Sequence, residues 1–376
     1  MLDVKIDAQF DFLGREYAEL FARSSATAFQ HPNWLSGLYK RLVPSLKAEP
    51  LIVTVREQDS GRLVMVLPLL RRRYGALRVV EFADLGVSDY ASPIGSDASI
   101  AAILGDKAAC AAIKNTLKPF DVLRIQKLRA DSPKMEGLVG APARASMSMS
   151  AHAVPLDNDF STWRATRMAA SYRKELDKKS RQLHRKGNVT FARTTDVEAI
   201  KLTLHKMREY RRPRFETGDL LQQQAYFDFY FDTATRRNGA LARVYALSMD
   251  GCPIAGVMGL AHQGSFLVIL GGFDLANYKN VSLGSLMFEQ VARHCIEMGD
   301  RELDFTIGDE PYKTLFGAQA CPMYQISRAG SPLGAVAGLV IEQVPWVRTV
   351  AKRFMRASRA AVASGAATPA EARAER

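Results

Sequence analysis

Residues 242–273 read ARVYALSMDGCPIAGVMGLAHQGSFLVILGGF. Three apolar runs are separated by Asp250-Gly251 and by Gln263-Gly264, and two-residue turns of this kind between apolar runs are typical of β-hairpins. The pattern predicts a three-stranded antiparallel meander. An apolar helical pattern follows at 283–298, then a short strand at 302–305 and a helical turn at 311–316. This order predicts an α+β fold rather than a doubly wound parallel sheet.

The elements before this meander are mostly helical from His152 onward. They are predicted as a long basic helical segment at 160–186, a strand at 189–193, and helices at 196–210 and 222–237. The N-terminal half repeats the plan in a cruder form, with a hairpin at 51–70, a helix at 100–117 and a strand at 122–125. No sequence repeat accompanies this likeness. We therefore expect two domains, at 1–150 and 151–330, with either a linker or an extended crossover at 130–150.

Composition limits the function classes. The chain has 376 residues, of which 47% are hydrophobic, so two full cores can form. No stretch approaches the ~20 apolar residues of a membrane span, and Met1–Asp7 lacks the basic start of a secretory signal. We expect a soluble cytoplasmic protein. The four cysteines, Cys110, Cys252, Cys295 and Cys321, form no Cys-x-x-Cys pair, so neither a disulfide framework nor a metal site is expected.

The net charge of +12 favours an anionic partner such as CoA, a nucleotide-sugar, nucleic acid or an anionic membrane. Nucleic acid is the weakest of these options, because the basic helices lack interleaved aromatic residues. Residues 331–376 are predicted as a basic amphipathic helix followed by a disordered tail. Within this region, 340–360 suits either peripheral contact with an anionic membrane or docking on the core with a solvated outer face.

Ser282-Leu283-Gly284-Ser285 begins the helix that follows the meander. Free N–H groups at a helix start can bind a pyrophosphate, and glycine permits its close approach. The alternative is structural, with Ser282 as a helix cap and Gly284 allowing close packing. Gly272 and Phe273, at the end of the preceding strand, could offer backbone N–H groups to a thioester oxyanion, although Gly271-Gly272 taken alone is more typical of a tight turn.

Gly308-Asp309-Glu310-Pro311-Tyr312-Lys313 places two carboxylates, a phenol and an amine directly after an apolar strand. Aminolysis of a thioester needs a base, for which Asp309 or Glu310 is a candidate, and an acid, for which Tyr312 is a candidate. A solvated helix start is the alternative.

The basic segment at 167–186 predicts an inner stripe of Met168, Tyr172, Leu176 and Leu183. Its outer face, including Arg173, is either solvated or a clamp for a polyanionic acceptor, which Arg211 could join.

These segments resemble the CelD-like acetyltransferases, which are GNAT-superfamily proteins encoded with bacterial exopolysaccharide or cellulose genes. The resemblance covers about residues 25–325. It is carried by Tyr278, Ser282, Gly284, Asp304-Phe305, the 308–313 segment and Phe316-Gly317, and by Phe29-Gln30-His31-Pro32-x-Trp34 near the N-terminus. The same plan is similar to FemAB-type transferases, which pair two GNAT folds.

The resemblance implies two tandem GNAT-like domains with mixed, mainly antiparallel sheets flanked by helices. It implies acetyl-CoA as co-substrate, held by Gly272, Phe273 and residues 282–285, with no metal. The implied acceptor is an amine on an anionic sugar-nucleotide or lipid-linked sugar, contacted by Lys313, Arg173, Arg211 and His31. The pyrophosphate loop is poorer in glycine than is usual for GNAT proteins.

Two rival functions stay open from the sequence. One is a FemAB-like transferase that uses aminoacyl-tRNA, whose binding would fall steeply with salt. The other is a catalytically inactive GNAT-fold protein that binds a regulator or a membrane.

Overall fold

The structure, a computed structural model, describes residues 1–215, 218–236 and 241–343. Its described strands form one 12-stranded sheet in the order β1-β2-β3-β4-β5-β12-β6-β11-β10-β9-β8-β7. The strands are Leu2–Ile6 (β1), Glu49–Glu57 (β2), Leu63–Tyr74 (β3), Leu77–Phe82 (β4), Val122–Arg129 (β5), Ala145–Pro155 (β6), Val189–Thr194 (β7), Ala242–Met249 (β8), Cys252–His262 (β9), Ser265–Phe273 (β10), Glu302–Ile307 (β11) and Gln319–Ala329 (β12).

Helices cover both faces of this sheet. They are Arg15–Ala22 (α1), Pro32–Gly37 (α2), Val43–Ser45 (α3), Asp97–Gly105 (α4), Lys107–Thr116 (α5), Met135–Val139 (α6), Phe160–Arg167 (α7), Ala170–His184 (α8), Val197–Phe215 (α9), Gln224–Thr235 (α10), Leu283–Glu297 (α11), Pro311–Leu315 (α12) and Pro332–Gln343 (α13). Three short turns, Ala28–Gln30, Leu38–Leu42 and Leu220–Gln222, have 3₁₀ or π geometry.

The predicted meander is confirmed as β8, β9 and β10, which pair in antiparallel register. Both connecting turns place their two central residues at positive φ: Asp250 at 50° with Gly251 at 82°, and Gln263 at 50° with Gly264 at 81°. This is the backbone of a type I′ turn, whose twist matches that of the strands that it joins. The inner stripe of the basic segment is also confirmed, because Met168, Tyr172, Leu176 and Leu183 are all buried.

The two halves share the sheet by exchanging strands. β6 lies between β11 and β12 of the C-terminal half, and β12 in turn pairs with β5 of the N-terminal half. The boundary predicted between residues 150 and 151 falls inside β6, and the division into domains stays a prediction. One hydrophobic core on a single face of the sheet joins α1 and α2 to α9 and α10, so the halves also pack side by side.

Of the two interpretations of 130–150, the extended one holds for 145–150, which form the first part of β6. Two local predictions were wrong. The helix predicted at 100–117 is divided at Asp106, whose side chain accepts from the N–H groups of Ala108 and Ala109 and starts α5. The segment at 160–186 is divided at Met168, which has an extended backbone. In both helical segments the apolar pattern continues across the break, so the division is seen in the backbone geometry of Asp106 and Met168.

Candidate active-site cleft

The parallel strands β10 and β11 separate soon after they begin. They pair only at Ser265↔Glu302, Phe266↔Leu303 and Leu267↔Asp304. Each strand then shifts register against its outer neighbour, β10 between Val268 and Leu270 and β11 between Asp304 and Ile307. Bulges bend a strand and leave backbone groups outside the regular ladder. The two opposed bulges therefore open a cleft between the strands.

Thr306 stands where the cleft begins. Its backbone has a φ of 57°, unusual for a β-branched residue. Its hydroxyl donates to the Val268 carbonyl at 3.0 Å, and its N–H donates to Asp304 at 2.7 Å. These bonds fix the left-handed backbone of Thr306 at the point where the strands part.

The end of β11 carries a histidine–carboxylate pair. The Gly308 N–H donates to the Ser150 carbonyl at 2.9 Å, which holds this segment against β6. Asp309 then lies 3.0 Å from His152 Nε2 and accepts the Ser150 N–H. The hydrogen bond with His152 is the main reason why the pKa of Asp309 is lowered. His152 is 4% exposed, and its Nδ1 is buried without a hydrogen-bond partner among the described residues.

Lys313 is buried in the first turn of α12, with 2% exposure. Its amine donates to the carbonyls of Thr306 and Gly308 at 3.2 and 2.8 Å and pairs with Glu310 at 3.0 Å. The amine therefore fastens the carbonyls at the end of β11. Its predicted contact with substrate stays a prediction.

Tyr312 lies in an aromatic cluster beside the cleft. Its half-buried ring stacks on Phe288 at a centroid distance of 5.0 Å and meets Phe305 edge-on at 5.7 Å. This packing fixes the direction of the phenol. The predicted catalytic roles of Asp309, Glu310 and Tyr312 stay predictions, although all three occupy the segment that closes the cleft.

Helix α11 begins at the other side of the cleft. Ser282 is its cap residue, as the structural alternative expected, with a φ of 56° and a ψ of 46°, but the serine side chain makes no cap hydrogen bond. Ser285 lies in the first turn. The hydroxyl of Tyr172, from α8, is buried without a hydrogen-bond partner in the described chain. Burial raises the pKa of Tyr172, while the Ser285 side chain opposes this rise.

The glycines predicted to approach the cofactor differ in their surroundings. A Cβ on Gly272 would lie 2.6 Å from Met207 Cα, so this glycine lets α9 pack closely on β10. A Cβ on Gly284 would meet the Phe273 ring at 3.6 Å, an ordinary contact. The structure thus brings Phe273 and Gly284 together at the cleft, with Leu283 buried beneath them. Cofactor contact by these residues stays a prediction.

A basic pocket adjoins this helix start. It has a volume of ≈ 440 Å³ and lies between the end of α8, which supplies Arg185 and Lys186, and the loop before α11, which supplies Lys279. Lys179 donates to the Asn280 carbonyl at 2.7 Å and so fastens this loop to α8. The basic end of α8 therefore faces the loop that leads into the cleft.

The other predicted substrate residues are dispersed. Arg173 is half-buried on α8. Arg211 pairs with Asp219 at 2.9 Å and donates to the Gly271 carbonyl at 2.8 Å, so it touches the end of β10. His31 begins α2, where its Nδ1 accepts the Asn33 N–H at 3.2 Å, and burial lowers its pKa to about 4.

The N-terminal half has a corresponding parallel pair, β4 and β5, joined at Val79↔Val122 through Glu81↔Arg124. Its opening is occupied by the chain itself. In the loop after β4, the Ala91 N–H donates to the Lys127 carbonyl at 2.9 Å, and Ile94 forms a β-bridge with Val66 on β3. Both loop residues are buried. An open cleft of this kind is therefore found in the C-terminal half.

The predicted membrane-binding or docking segment at 340–360 lies outside the described residues beyond Gln343. None of the described helices has the length and apolar character that a bilayer span requires. In the described ranges, no group of three or more His, Cys, Asp or Glu side chains is arranged to hold a metal ion.

Comparison with known proteins agrees with this geometry. Residues 170–314, which include the cleft, match the family described as acetyltransferase (GNAT) domain. No curated protein matches the chain. Three solved structures share its fold: FemX (12% identity, TM-score 0.59, covering 89% of this chain and 99% of that one), L-PGS from Bacillus licheniformis (12%, 0.52, 90% and 97%) and a conserved protein of unknown function from Bacteroides thetaiotaomicron (11%, 0.53, 86% and 99%).

Identities this low show the fold alone. The α+β plan of two GNAT-like halves is confirmed, and the domain match together with the fold supports an acyltransferase. The narrower resemblance to CelD-like acetyltransferases stays a prediction. Sequence reasoning missed His152 and the Tyr172 hydroxyl. His152 is 157 positions from Asp309, and no local signal marks it.

Proposed function

We propose that the chain is an acyl-CoA-dependent N-acyltransferase whose donor lies between β10 and β11. The observation that carries this proposal is the cleft formed by the two opposed bulges, with the start of α11 beside it. A thioester placed there would meet backbone N–H groups freed from the ladder, which can stabilise an oxyanion. The filled opening in the N-terminal half favours one donor site per chain.

The donor phosphates would lie at the start of α11. Leu283, Gly284 and Ser285 occupy its first turn, where N–H groups are free for an anion. The buried Tyr172 hydroxyl, close to Ser285, supplies a further donor. The adjoining basic pocket, with Arg185, Lys186 and Lys279, suits the remaining phosphate of CoA.

The chemistry would be carried by the segment after β11. In the neutral tautomer of His152 whose Nε2–H donates to Asp309, Nδ1 carries a lone pair, which would accept a proton from the attacking amine. Asp309 would orient the imidazole rather than act as the base, which agrees with its lowered pKa. Tyr312 is the candidate acid for the leaving thiolate.

The acceptor class is proposed from the sequence resemblance. It would be an amino-sugar of a bacterial surface polysaccharide precursor, carried on a nucleotide or a lipid. Such an acceptor would be modified at the cytoplasmic face, where acyl-CoA is made. Residues 340–360 would bring the enzyme to the membrane.

Acetyl-CoA binding, measured by calorimetry, tests the donor assignment. Micromolar affinity corresponds to about −8 kcal/mol. Gly284→Trp should abolish binding, whereas Gly284→Ala should retain it because a Cβ there makes only an ordinary contact. Arg185→Glu with Lys186→Glu should weaken binding at least tenfold. Lys174→Glu is the matched control, because Lys174 is exposed on α8 and does not line the basic pocket.

Absence of heat with acetyl-CoA and with longer acyl-CoAs would refute the donor assignment. Charged tRNA would then be tested at 50 and 200 mM salt, since a tRNA-dependent enzyme must lose affinity steeply over that range. Specific acetyl-CoA binding without transfer to any amine would instead favour the regulatory protein.

A further inference from the structure

A second pocket lies between the two halves, on the face of the sheet opposite α11. It has a volume of ≈ 240 Å³. The N-terminal half lines it with residues 25–28, 90–92, 129 and 131–133, and the C-terminal half with His262, Gln263 and the first residues of β10 and β11. We call it the interhalf pocket. Its size suits one small head group rather than a whole cofactor.

The floor of the interhalf pocket meets the cleft. Leu267 and Asp304 both line the pocket, and they are also the last paired residues before β10 and β11 separate. A group bound in the pocket would therefore lie beside the point where the strands open. A pocket ligand and a thioester in the cleft would approach each other from opposite faces of the sheet.

The pocket is acidic, whereas the protein as a whole carries a net positive charge. Asp304 is 2% exposed, and Glu302 is half-buried beside it. In the described chain neither carboxylate forms an ion pair; Tyr90 and Thr306 donate to Asp304, and Ser265 donates to Glu302. Arg129, which also lines the pocket, is already paired with Asp131 at 3.1 Å.

The remaining polar lining suits hydroxyl groups. His262 also lines the pocket; its Nε2 is buried without a hydrogen-bond partner in the described residues, and burial lowers the pKa of His262, which favours the neutral ring. The hydroxyls of Ser25 and Ser92 donate to protein oxygens and keep their acceptor lone pairs. The Thr27 hydroxyl donates to Gln30 and accepts the Phe29 N–H, so it keeps one lone pair. A ligand with several hydroxyls could donate to these oxygens.

We propose that the interhalf pocket binds the acceptor of the reaction through its primary ammonium, held by Glu302 and Asp304, with the serine and threonine hydroxyls contacting a hydroxylated ring. The inference rests on the proposed N-acyl transfer. An unpaired buried carboxylate has a strong preference for a cationic partner, and an ammonium is the group that an N-acyltransferase must recognise. Glu302 and Asp304 are thus binding residues for the acceptor.

The test uses the full chain and four amines: glucosamine, lysine, ethanolamine and putrescine. Binding of each is measured by calorimetry at pH 7.5, with N-acetylglucosamine as the ligand that lacks the charge. At least one amine should bind, with glucosamine the tightest and N-acetylglucosamine at least tenfold weaker. Asp304→Asn and Glu302→Gln should each weaken amine binding at least tenfold. Asp59→Asn, in an exposed turn, is the control and should change nothing.

Acetyl-CoA affinity, measured on the same variants, separates the two proposals. Asp304→Asn should bind acetyl-CoA as the wild type does, which also shows that the variant is folded. If acetyl-CoA binds, but no amine binds the wild type more tightly than it binds Asp304→Asn, the interhalf pocket is not the acceptor site and the proposed function stands. If acetyl-CoA itself fails to bind, the proposed function falls.

Discussion

Replacing Asp304 by Asn should stabilise the protein at neutral pH but hardly at acidic pH. The Tyr90 hydroxyl lies 2.9 and 2.8 Å from the two carboxylate oxygens of Asp304, and the Thr306 N–H donates at 2.7 Å. An asparagine oxygen can accept both bonds without a change of shape. Burial nevertheless raises the pKa of Asp304 from 3.8 to about 6, although these hydrogen bonds act to lower it.

The direction of this pH dependence of stability follows from proton linkage. The folded protein holds the Asp304 proton more tightly than the unfolded chain does, so its stability falls as the pH rises from about 3.8 to about 6. About two pKa units at 1.36 kcal/mol each give a cost of about 3 kcal/mol above pH 6. At pH 4 the cost is only about 0.5 kcal/mol. Asparagine carries no charge and avoids this cost at every pH.

Scanning calorimetry at pH 4.0, 6.0 and 7.5 in 150 mM NaCl measures the effect. With an unfolding entropy of roughly 0.8 kcal/mol/K for a chain of this length, about 3 kcal/mol corresponds to about 4 °C. Asp304→Asn should thus melt about 4 °C above the wild type at pH 7.5 and within about 1 °C of it at pH 4.0. An equal difference at the two pH values, or a variant that melts lower at pH 7.5, would refute the reasoning. Asp59→Asn should show neither change.

Three further predictions follow from the cleft. His152→Asn should lower kcat by about 100-fold or more with unchanged acetyl-CoA affinity, and unchanged kcat would remove His152 from the mechanism. Gly272→Ala should destabilise the protein by about 1–3 kcal/mol in urea unfolding, because its Cβ would strike the backbone of Met207. Gly271→Ala should cost less, because its Cβ would meet the side chain of Phe273 at 3.1 Å and backbone only at 4.0 Å; the reverse order would contradict the packing. Ser282→Gly should raise the melting temperature, since relief of the left-handed backbone is worth about 1 kcal/mol; a lower melting temperature would show that the serine side chain stabilises this turn.

The sequence determined the local elements of this protein because their signals are themselves local. Neighbouring residues predict the two turns of the meander, the apolar strands between them and the buried stripe of α8, because their periodicity and turn chemistry favour one conformation. The 308–313 segment was recognisable for the same reason, since its carboxylates, phenol and amine are adjacent in the chain. The GNAT-like α+β plan follows from the order of these elements.

Only the tertiary structure decided which strands exchange between the halves and which distant groups meet. The first part of β6 reads as either a linker or an extended crossover, because alternating Ser and Met residues acquire a strand conformation only when β11 and β12 supply hydrogen-bond partners. His152 meets Asp309, and Tyr90 meets Asp304, through contacts that span 157 and 214 positions. Such contacts depend on the register of the whole sheet, whereas the alternation and turn patterns of neighbouring residues specify register between strands that a short turn connects.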